Sequence, residues 1–178
     1  MNASTVDLDS LRKQLEPIKP LRLYALVDAA GNQSALDFMY EQEALNFDCL
    51  FPGEVEPEVF EVAPFLVDLE NQAEVVDWLM EGWGSSWVSF LHSTASLDEL
   101  QIHLRQFTEV RTPEGDVVWF RFYDPNVMRT AWPILTSEQG ADLFKQVTTF
   151  LCEGDDPKSL VRLSFDGGKP LKSVVSLA

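Results

Sequence analysis

The chain has 178 residues, of which 46% are hydrophobic, and its 29 acidic and 13 basic side chains give a formal net charge of -16. This length and apolar content suit one globular domain, and the lack of any run of about eighteen apolar residues argues against a membrane-spanning helix. The acidic excess argues against nucleic acid or an anionic membrane as a partner, because both require basic patches on the protein.

Apolar periodicity and breaker residues predict alternating helices and strands along the chain. Helices are predicted over residues 5–16, 34–43, 74–81, 96–107, 125–132 and 136–144. Strands are predicted over residues 21–27, 47–51, 62–69, 87–91, 109–111, 117–123, 147–152 and 160–165. Capping boxes are expected at Ser96 with Glu99 and at Thr136 with Gln139. Pro64 lies inside its strand, which favours an edge position or a bulge.

This alternation predicts a single α/β domain, a mixed β-sheet with flanking helices. Residues 1–20 are expected to form an N-terminal helix and linker, and residues 21–151 the main α/β domain. Residues 152–178 are expected to form a C-terminal strand or tail that packs on the same domain. From Glu153 onward, a variable partner-specific piece and the last hairpin of the sheet remain alternatives.

Residues 117–125 read VVWFRFYDP and are apolar on both faces, as a strand in the middle of a sheet would be. Arg121 is the one charge in the body of this segment and shares a face with Trp119 and Tyr123. A buried cation needs an acidic partner, for which Asp28 and Asp124 are the candidates. Asp124 is also expected to cap a helix that begins at Pro125.

The segment from Arg121 to Pro125 resembles the signature of the adaptor chaperones of bacterial type VI secretion, a domain-of-unknown-function family also termed the Tap or Tec adaptors. Further blocks of the resemblance follow in the expected order at residues 23–30, 49–53, 62–69, 83–87, 96–100 and 103–105. The similarity spans roughly residues 21–150. It implies a protein that binds a type VI effector in the cytoplasm and promotes its loading onto the VgrG spike, without being exported itself.

The acidic residues are concentrated in the stretch from Leu23 to Leu104, which contains 16 of them and no Lys or Arg. The rest of the chain carries 13 acidic and 13 basic residues, so its charges cancel. Two interpretations remain open. The acidic stretch forms either a solvated surface or a face that steers toward a basic partner, and the second predicts salt-sensitive association.

Surplus aromatic residues predict an apolar groove for the partner. Trp83 lies between two glycines and Trp132 precedes Pro133, so both are candidates for partial exposure, whereas Trp78 and Trp119 fit core positions. The predicted partner-binding residues are Pro64, Phe65, Leu66, Trp83, Trp87 and Trp132. The predicted structural signature is Asp28, Arg121, Tyr123, Asp124 and Pro125.

The sequence shows no arrangement typical of catalysis, so we expect no enzyme, no catalytic, metal or cofactor-binding residue, and no small-molecule substrate. His92 and His103 lack metal-ligand spacing, Ser85 and Ser86 lack the Gly-x-Ser-x-Gly pattern, and residues 166–169 read as a turn. Two alternatives to the adaptor stay open. One is an acidic immunity or inhibitor protein that neutralises a basic toxin, and the other is a hydrolase using one of these serines with one of these histidines.

The N-terminus has no basic start followed by an apolar segment, so we expect no secretion signal and a cytoplasmic location. Cys49 and Cys152 lie far apart and have no CxxC spacing. This favours two reduced thiols over a disulfide or a metal site.

Overall fold

The computed structural model describes residues 6–112 and 114–177. The helices among them are α1 (Leu8–Leu15), α2 (Ala35–Glu41), α3 (Pro57–Phe60), α4 (Ala73–Glu81), α5 (Leu97–Arg105), α6 (Pro125–Ala131) and α7 (Ser137–Leu143). The strands are β1 (Arg22–Asp28), β2 (Phe47–Cys49), β3 (Pro64–Asp68), β4 (Val88–Ser93), β5 (Glu109–Arg111), β6 (Val117–Trp119), β7 (Thr149–Glu153), β8 (Ser159–Asp166) and β9 (Lys169–Ser176). A turn of 3₁₀ helix at Trp132–Ile134 follows α6.

Seven strands form one sheet in the order β2-β3-β1-β4-β7-β8-β9, and β5 and β6 form a separate hairpin. The predicted single α/β domain with a sheet and flanking helices is confirmed. Where a mixed sheet was expected, each neighbouring pair of described strands is antiparallel. Strands β3 and β4 do run in the same direction across α4, but β1 lies between them and is antiparallel to both.

Helices cover both faces of the sheet. Alternate residues of β1 point to opposite faces, so Ala25 and Val27 join one apolar cluster while Tyr24 and Leu26 join the other. The first cluster contains residues of α1, α2 and α4, and the second contains residues of α5, α6 and α7. The sheet is therefore the middle layer of three, and its strands β3, β1 and β4 are buried on both sides.

Local signals at helix ends are reproduced in the structure. Both capping boxes, Ser96 with Glu99 and Thr136 with Gln139, have their two reciprocal hydrogen bonds. Asp124 caps α6 by accepting from the Asn126 N–H at 2.8 Å. These bonds occupy backbone N–H groups that have no partner within the helix.

The edge or bulge position predicted for the strand with Pro64 is wrong, because β3 lies between β2 and β1. Pro64 is the first residue of β3. A proline is tolerated there because the ladder does not need its missing N–H group. Its carbonyl still accepts a hydrogen bond from the Leu50 N–H at 2.8 Å.

The prediction that residues 117–123 form a strand in the middle of the sheet is also wrong. Only Val117–Trp119 is extended, and it pairs with Glu109–Arg111 in a separate hairpin. Phe122 and Tyr123 leave the hairpin and join the second apolar cluster. The apolar residues of this segment therefore have two different environments. Those of its first half are exposed on the hairpin, and those of its second half are buried against the sheet.

Strand β9 was left open by the sequence and extends the sheet by eight residues. Gly167 and Gly168 both have positive φ, of 56° and 79°, and form a two-residue connection between Asp166 and Lys169. Two consecutive residues with positive φ suit the right-handed twist of a tight hairpin and favour glycine.

The uneven charge of the sequence becomes an uneven charge across the sheet. Strands β2, β3, β1 and β4 fall almost wholly within the stretch that lacks Lys and Arg, and they form one side of the sheet. Strands β7, β8 and β9 form the other side, which carries Arg162, Lys169 and Lys172. The molecule therefore has an acidic side and a side with basic residues.

Candidate protein-interaction site

The six residues predicted to form the partner-binding groove are all buried in the core: Pro64, Phe65, Leu66, Trp83, Trp87 and Trp132. Trp83 stacks on Phe90, with 6.4 Å between ring centres, and its Nε1 donates to the Pro157 carbonyl at 2.9 Å. The glycine beside it makes room for another ring, because a Cβ on Gly82 would lie 2.1 Å from Cζ2 of Trp87. The prediction of partial exposure for Trp83 and Trp132 is therefore wrong.

The predicted signature residues meet at the end of β1. The Arg121 guanidinium pairs with the Asp28 carboxylate and lies 3.8 Å from that of Asp124, and its Cζ is 5.9 Å from the ring centre of Tyr123. The Asp28 side chain is 3% exposed, whereas that of Arg121 is 46% exposed. The buried member of the pair is thus the carboxylate and not the cation, which corrects the prediction. The cluster fastens the segment before Pro125 to the sheet.

Both histidines and Ser86 of the hydrolase alternative bond to separate partners. Nε2 of His92 bonds to the Leu15 carbonyl at 2.8 Å, and Nε2 of His103 bonds to the Leu143 carbonyl at 2.9 Å. The Ser86 hydroxyl donates to the Glu153 carboxylate. These contacts join α1, α7 and the turn after α4 to neighbouring elements, so they have structural roles.

An exposed apolar hairpin lies outside the seven-stranded sheet. We term it the arm: strands β5 and β6 with their turn, described at residues 109–112 and 114–119. Val110 and Val118 are cross-strand partners and both are exposed, as are Val117 and Trp119, at 51% and 57%. Sequence reasoning placed Trp119 in the core. The missed signal is the length of the two strands. Each has only three residues, which suits a small separate hairpin better than a large sheet.

A groove runs along β2 and the helices beside it. It consists of two depressions, of about 880 Å³ and 820 Å³, which share Tyr40 and Phe60 among their lining residues. We term it the β2 groove. The exposed Tyr40 ring meets Phe47 edge-on at 5.2 Å between ring centres, and Phe51 lies 4.7 Å from the ring of Trp119. Because Phe51 lines the groove and touches the arm, the two form one continuous surface.

Four carboxylates line the β2 groove without an ion pair or side-chain hydrogen bond to any described residue: Asp37, Asp48, Glu61 and Asp98. Asp68 also lines the groove, but it is paired with Arg22. Arg105 is the one basic side chain among the described lining residues, and its donors are engaged by the Cys49 carbonyl at 3.1 and 2.8 Å. The groove is therefore both apolar and negatively charged.

Helix α5 covers part of the outer edge of β2. The register against β3 turns the backbone groups of Cys49 away from the sheet. Its carbonyl accepts from Gln101 Nε2 at 3.3 Å as well as from Arg105. An edge whose backbone groups are already occupied is a poor template for an added strand.

Burial is the largest influence on the pKa of two groups that line the groove, Asp48 and Cys49. It raises the pKa of Asp48 above its usual value; the charge of Arg105 lowers that pKa and the charge of Asp98 raises it. Burial also raises the pKa of the Cys49 thiol, so this side chain is protonated and unreactive at neutral pH. For the second free cysteine, Cys152, burial raises the pKa to about 12.

Neither a metal site nor a membrane span is found in the described part of the chain. Across residues 6–112 and 114–177, no three or more His, Cys, Asp or Glu side chains are grouped so that they could hold a metal ion. None of the helices formed by these residues has both the length and the apolar character that crossing a membrane requires.

Residues 23–142 match the model of a protein family described as a domain of unknown function, DUF4123. The match covers well over half of the chain and includes the groove, the arm and the Arg121 cluster. Comparison with curated proteins and with solved structures gives no match.

Proposed function

The chain belongs to the DUF4123 family, and we propose that it is a cytoplasmic adaptor chaperone of type VI secretion. In this role it binds an effector protein and promotes its loading onto the VgrG spike, without catalysing a reaction and without being exported. The resemblance of residues 121–125 and the preceding blocks to the Tap or Tec adaptors supports the specific role, and the family match supports the wider kinship.

The observation that carries the proposal is the exposed apolar arm beside the β2 groove. A two-stranded hairpin is only marginally stable by itself, so apolar residues on both of its faces are unfavourable in water unless a partner covers them. Trp119 at 57% exposure is the largest of these side chains. Exposed tryptophans dominate the energetics of many protein interfaces, which makes the arm a suitable contact for a protein partner.

The acidic side of the sheet supports the same proposal. The arm and the groove meet at Phe51, inside the stretch that carries the whole net charge of -16. Such a field accelerates the approach of a basic partner surface and weakens as salt screens it. Effector binding is therefore expected to be faster and tighter at low ionic strength.

The test is co-purification from the native host at low and high salt, followed by secretion assays. We compare the wild-type chain with the double variant Val118→Ser, Trp119→Ser and with the control Val174→Ser. Val174 is an exposed valine on β9, at the edge of the sheet opposite β2, whereas Trp119 of the arm contacts Phe51 just after β2. We expect wild type and control to recover a large effector with VgrG. The arm variant should recover about tenfold less, in line with the loss of an interface tryptophan.

Recovery of a lone small basic toxin, whose activity the protein abolishes, would overturn the adaptor proposal in favour of the immunity alternative. Equal recovery of the effector by all three proteins would show that the arm is not part of the interface. An effector that is recovered normally but secreted without any need for this protein would contradict the loading role.

A further inference from the structure

Building on the proposed function, we infer that the effector segment held in the β2 groove is apolar and basic. Its apolar side chains pack on the aromatic rings of the groove, and its lysine or arginine side chains pair with the carboxylates that line it. Neither the family match nor the resemblance assigns a binding surface or a ligand chemistry to this groove.

The first argument is the state of the carboxylates. Asp37 and Glu61 line one depression, Asp48 and Asp98 line the other, and none of the four has an ion pair with a described residue. Asp48 is half-buried and the other three are exposed, so all four are left to attract a cationic group of a partner. Arg105 cannot supply that charge to all four, because its guanidinium is held against the Cys49 carbonyl.

The second argument is the apolar floor between these charges. Tyr40 is 64% exposed and lines both depressions, and Phe47, Phe51 and Phe60 lie beside it while only partly buried. Large rigid rings at the centre of a surface, surrounded by charged groups, resemble the anchor-and-rim arrangement of protein interfaces. An acidic rim around an aromatic floor selects a segment that is both apolar and basic.

The third argument concerns how the segment is held. Gln101 and Arg105 occupy the outward carbonyl of Cys49, so the edge of β2 is closed at that point to an added strand. Recognition in the groove therefore proceeds through side chains rather than through backbone pairing, as when an amphipathic segment lays its apolar face into a groove.

The experiment measures binding of two labelled peptides to the full chain by fluorescence anisotropy. One probe is a short amphipathic peptide of leucine and lysine, and the other has glutamate in place of lysine. The test variant is Asp48→Asn with Glu61→Gln, one change in each depression. The matched control is Glu74→Gln with Glu81→Gln, which removes the same charge from exposed positions of α4 that do not line the groove.

We expect the lysine peptide to bind and the glutamate peptide not to bind. The groove variant should weaken binding of the lysine peptide about fivefold, as expected for losing two partly exposed charge pairs, and the control should change it less than about twofold. Tyr40→Ser, an exposed position, should weaken binding by a similar factor because it removes an aromatic anchor.

Equal weakening by the groove and control variants would overturn the inference, because the peptide would then be responding to the overall charge. Failure of the lysine peptide to bind would also overturn it. The proposed function is judged separately: if the effector still co-purifies with wild type and equally with the Asp48, Glu61 variant, the adaptor role stands and the assignment of the groove falls.

Discussion

The two edges of the central sheet are protected against pairing with another strand in different ways. At one edge, β2 is three residues long, and side chains of α5 occupy its outward carbonyl. At the other, β9 is eight residues long, pairs with β8 along its length and exposes Leu171 and Val174. Lys169 and Lys172 are the charges on this second edge, and charged side chains discourage pairing between copies of a chain.

The comparison shows that charge has a different purpose on each side. On β9, lysines protect a long exposed edge, and the backbone ladder holds the strand. On β2, the edge is protected by its cover, so the carboxylates of the groove are not needed for protection and are free to recognise a partner. At the β2 edge, side-chain hydrogen bonds from α5 add to a short backbone ladder, whereas the β9 edge is held by a backbone ladder along the whole strand.

The largest expected effect tests that difference in how the sides are held. Arg121→Ala should lower the free energy of unfolding by about 2 kcal/mol, because it leaves the buried Asp28 carboxylate without its cation. The partial exposure of Arg121 keeps the loss below that of a fully buried pair. Lys172→Ala on the β9 side should change it by less than about 0.5 kcal/mol. Urea denaturation measures both, and unchanged unfolding of Arg121→Ala with lost effector binding would make Arg121 an interface residue.

The next effect concerns the cover of the β2 edge. Arg105→Ala removes two hydrogen bonds to the Cys49 carbonyl and should lower the free energy of unfolding by about 1 kcal/mol. Hydrogen exchange should also become faster in β2. Arg111→Ala is the matched control, because Arg111 is exposed and makes only a long bond of 3.4 Å to the Gly115 carbonyl. If both variants unfold alike and exchange alike, α5 does not protect this edge.

The protective role of the β9 lysines predicts a change in association more than in stability. Lys169→Thr with Lys172→Thr should leave the free energy of unfolding within about 0.5 kcal/mol of wild type. It should also cause concentration-dependent self-association in analytical ultracentrifugation. Lys13→Thr with Lys19→Thr changes the net charge equally at exposed positions that are not on β9. Both variants have the same net charge, so self-association of the β9 variant alone would result from the loss of lysines at the edge. A monomeric β9 variant would show that these lysines do not guard the edge.

Local features of the fold could be predicted from the sequence. Capping residues act on backbone groups within a few positions, so the capping boxes at Ser96 and Thr136 were identified from spacing alone. Exposure could not be predicted in this way. Trp132 and Trp119 have similar apolar surroundings in sequence, yet Trp132 is 1% exposed and Trp119 is 57% exposed. The difference depends on which elements pack against each ring, which is a property of the tertiary structure.

The candidate site was still harder to predict, because its residues come from distant parts of the chain. Asp37, Asp48, Glu61 and Asp98 belong to four separate segments and meet only when the sheet and its helices assemble. The sequence indicated the acidic half as a whole, but it did not distinguish carboxylates in the groove from those elsewhere. The aromatic residues that the sequence indicated as partner-binding are instead part of the core.

The smallest expected effect separates recognition from stability at a single side chain. Burial raises the pKa of Asp48, so the folded protein binds a proton at this group more readily than the unfolded chain does. Stability from this group is therefore present below its unfolded pKa and is lost as the pH rises through its folded pKa. At neutral pH the Asp48 carboxylate opposes folding. Asp48→Asn should then stabilise the protein by a few tenths of a kcal/mol, a small value because the side chain is only partly buried.

The pH dependence gives this prediction its control. The gain from Asp48→Asn in urea denaturation should be present at pH 7 and should shrink as the pH falls through the raised folded-state pKa of Asp48, where the wild-type side chain becomes protonated. A substitution that stabilises the fold but weakens binding of the lysine peptide identifies a charge kept for binding. If the variant instead destabilises the protein at pH 7, Asp48 supports the fold and is not a charge kept for binding.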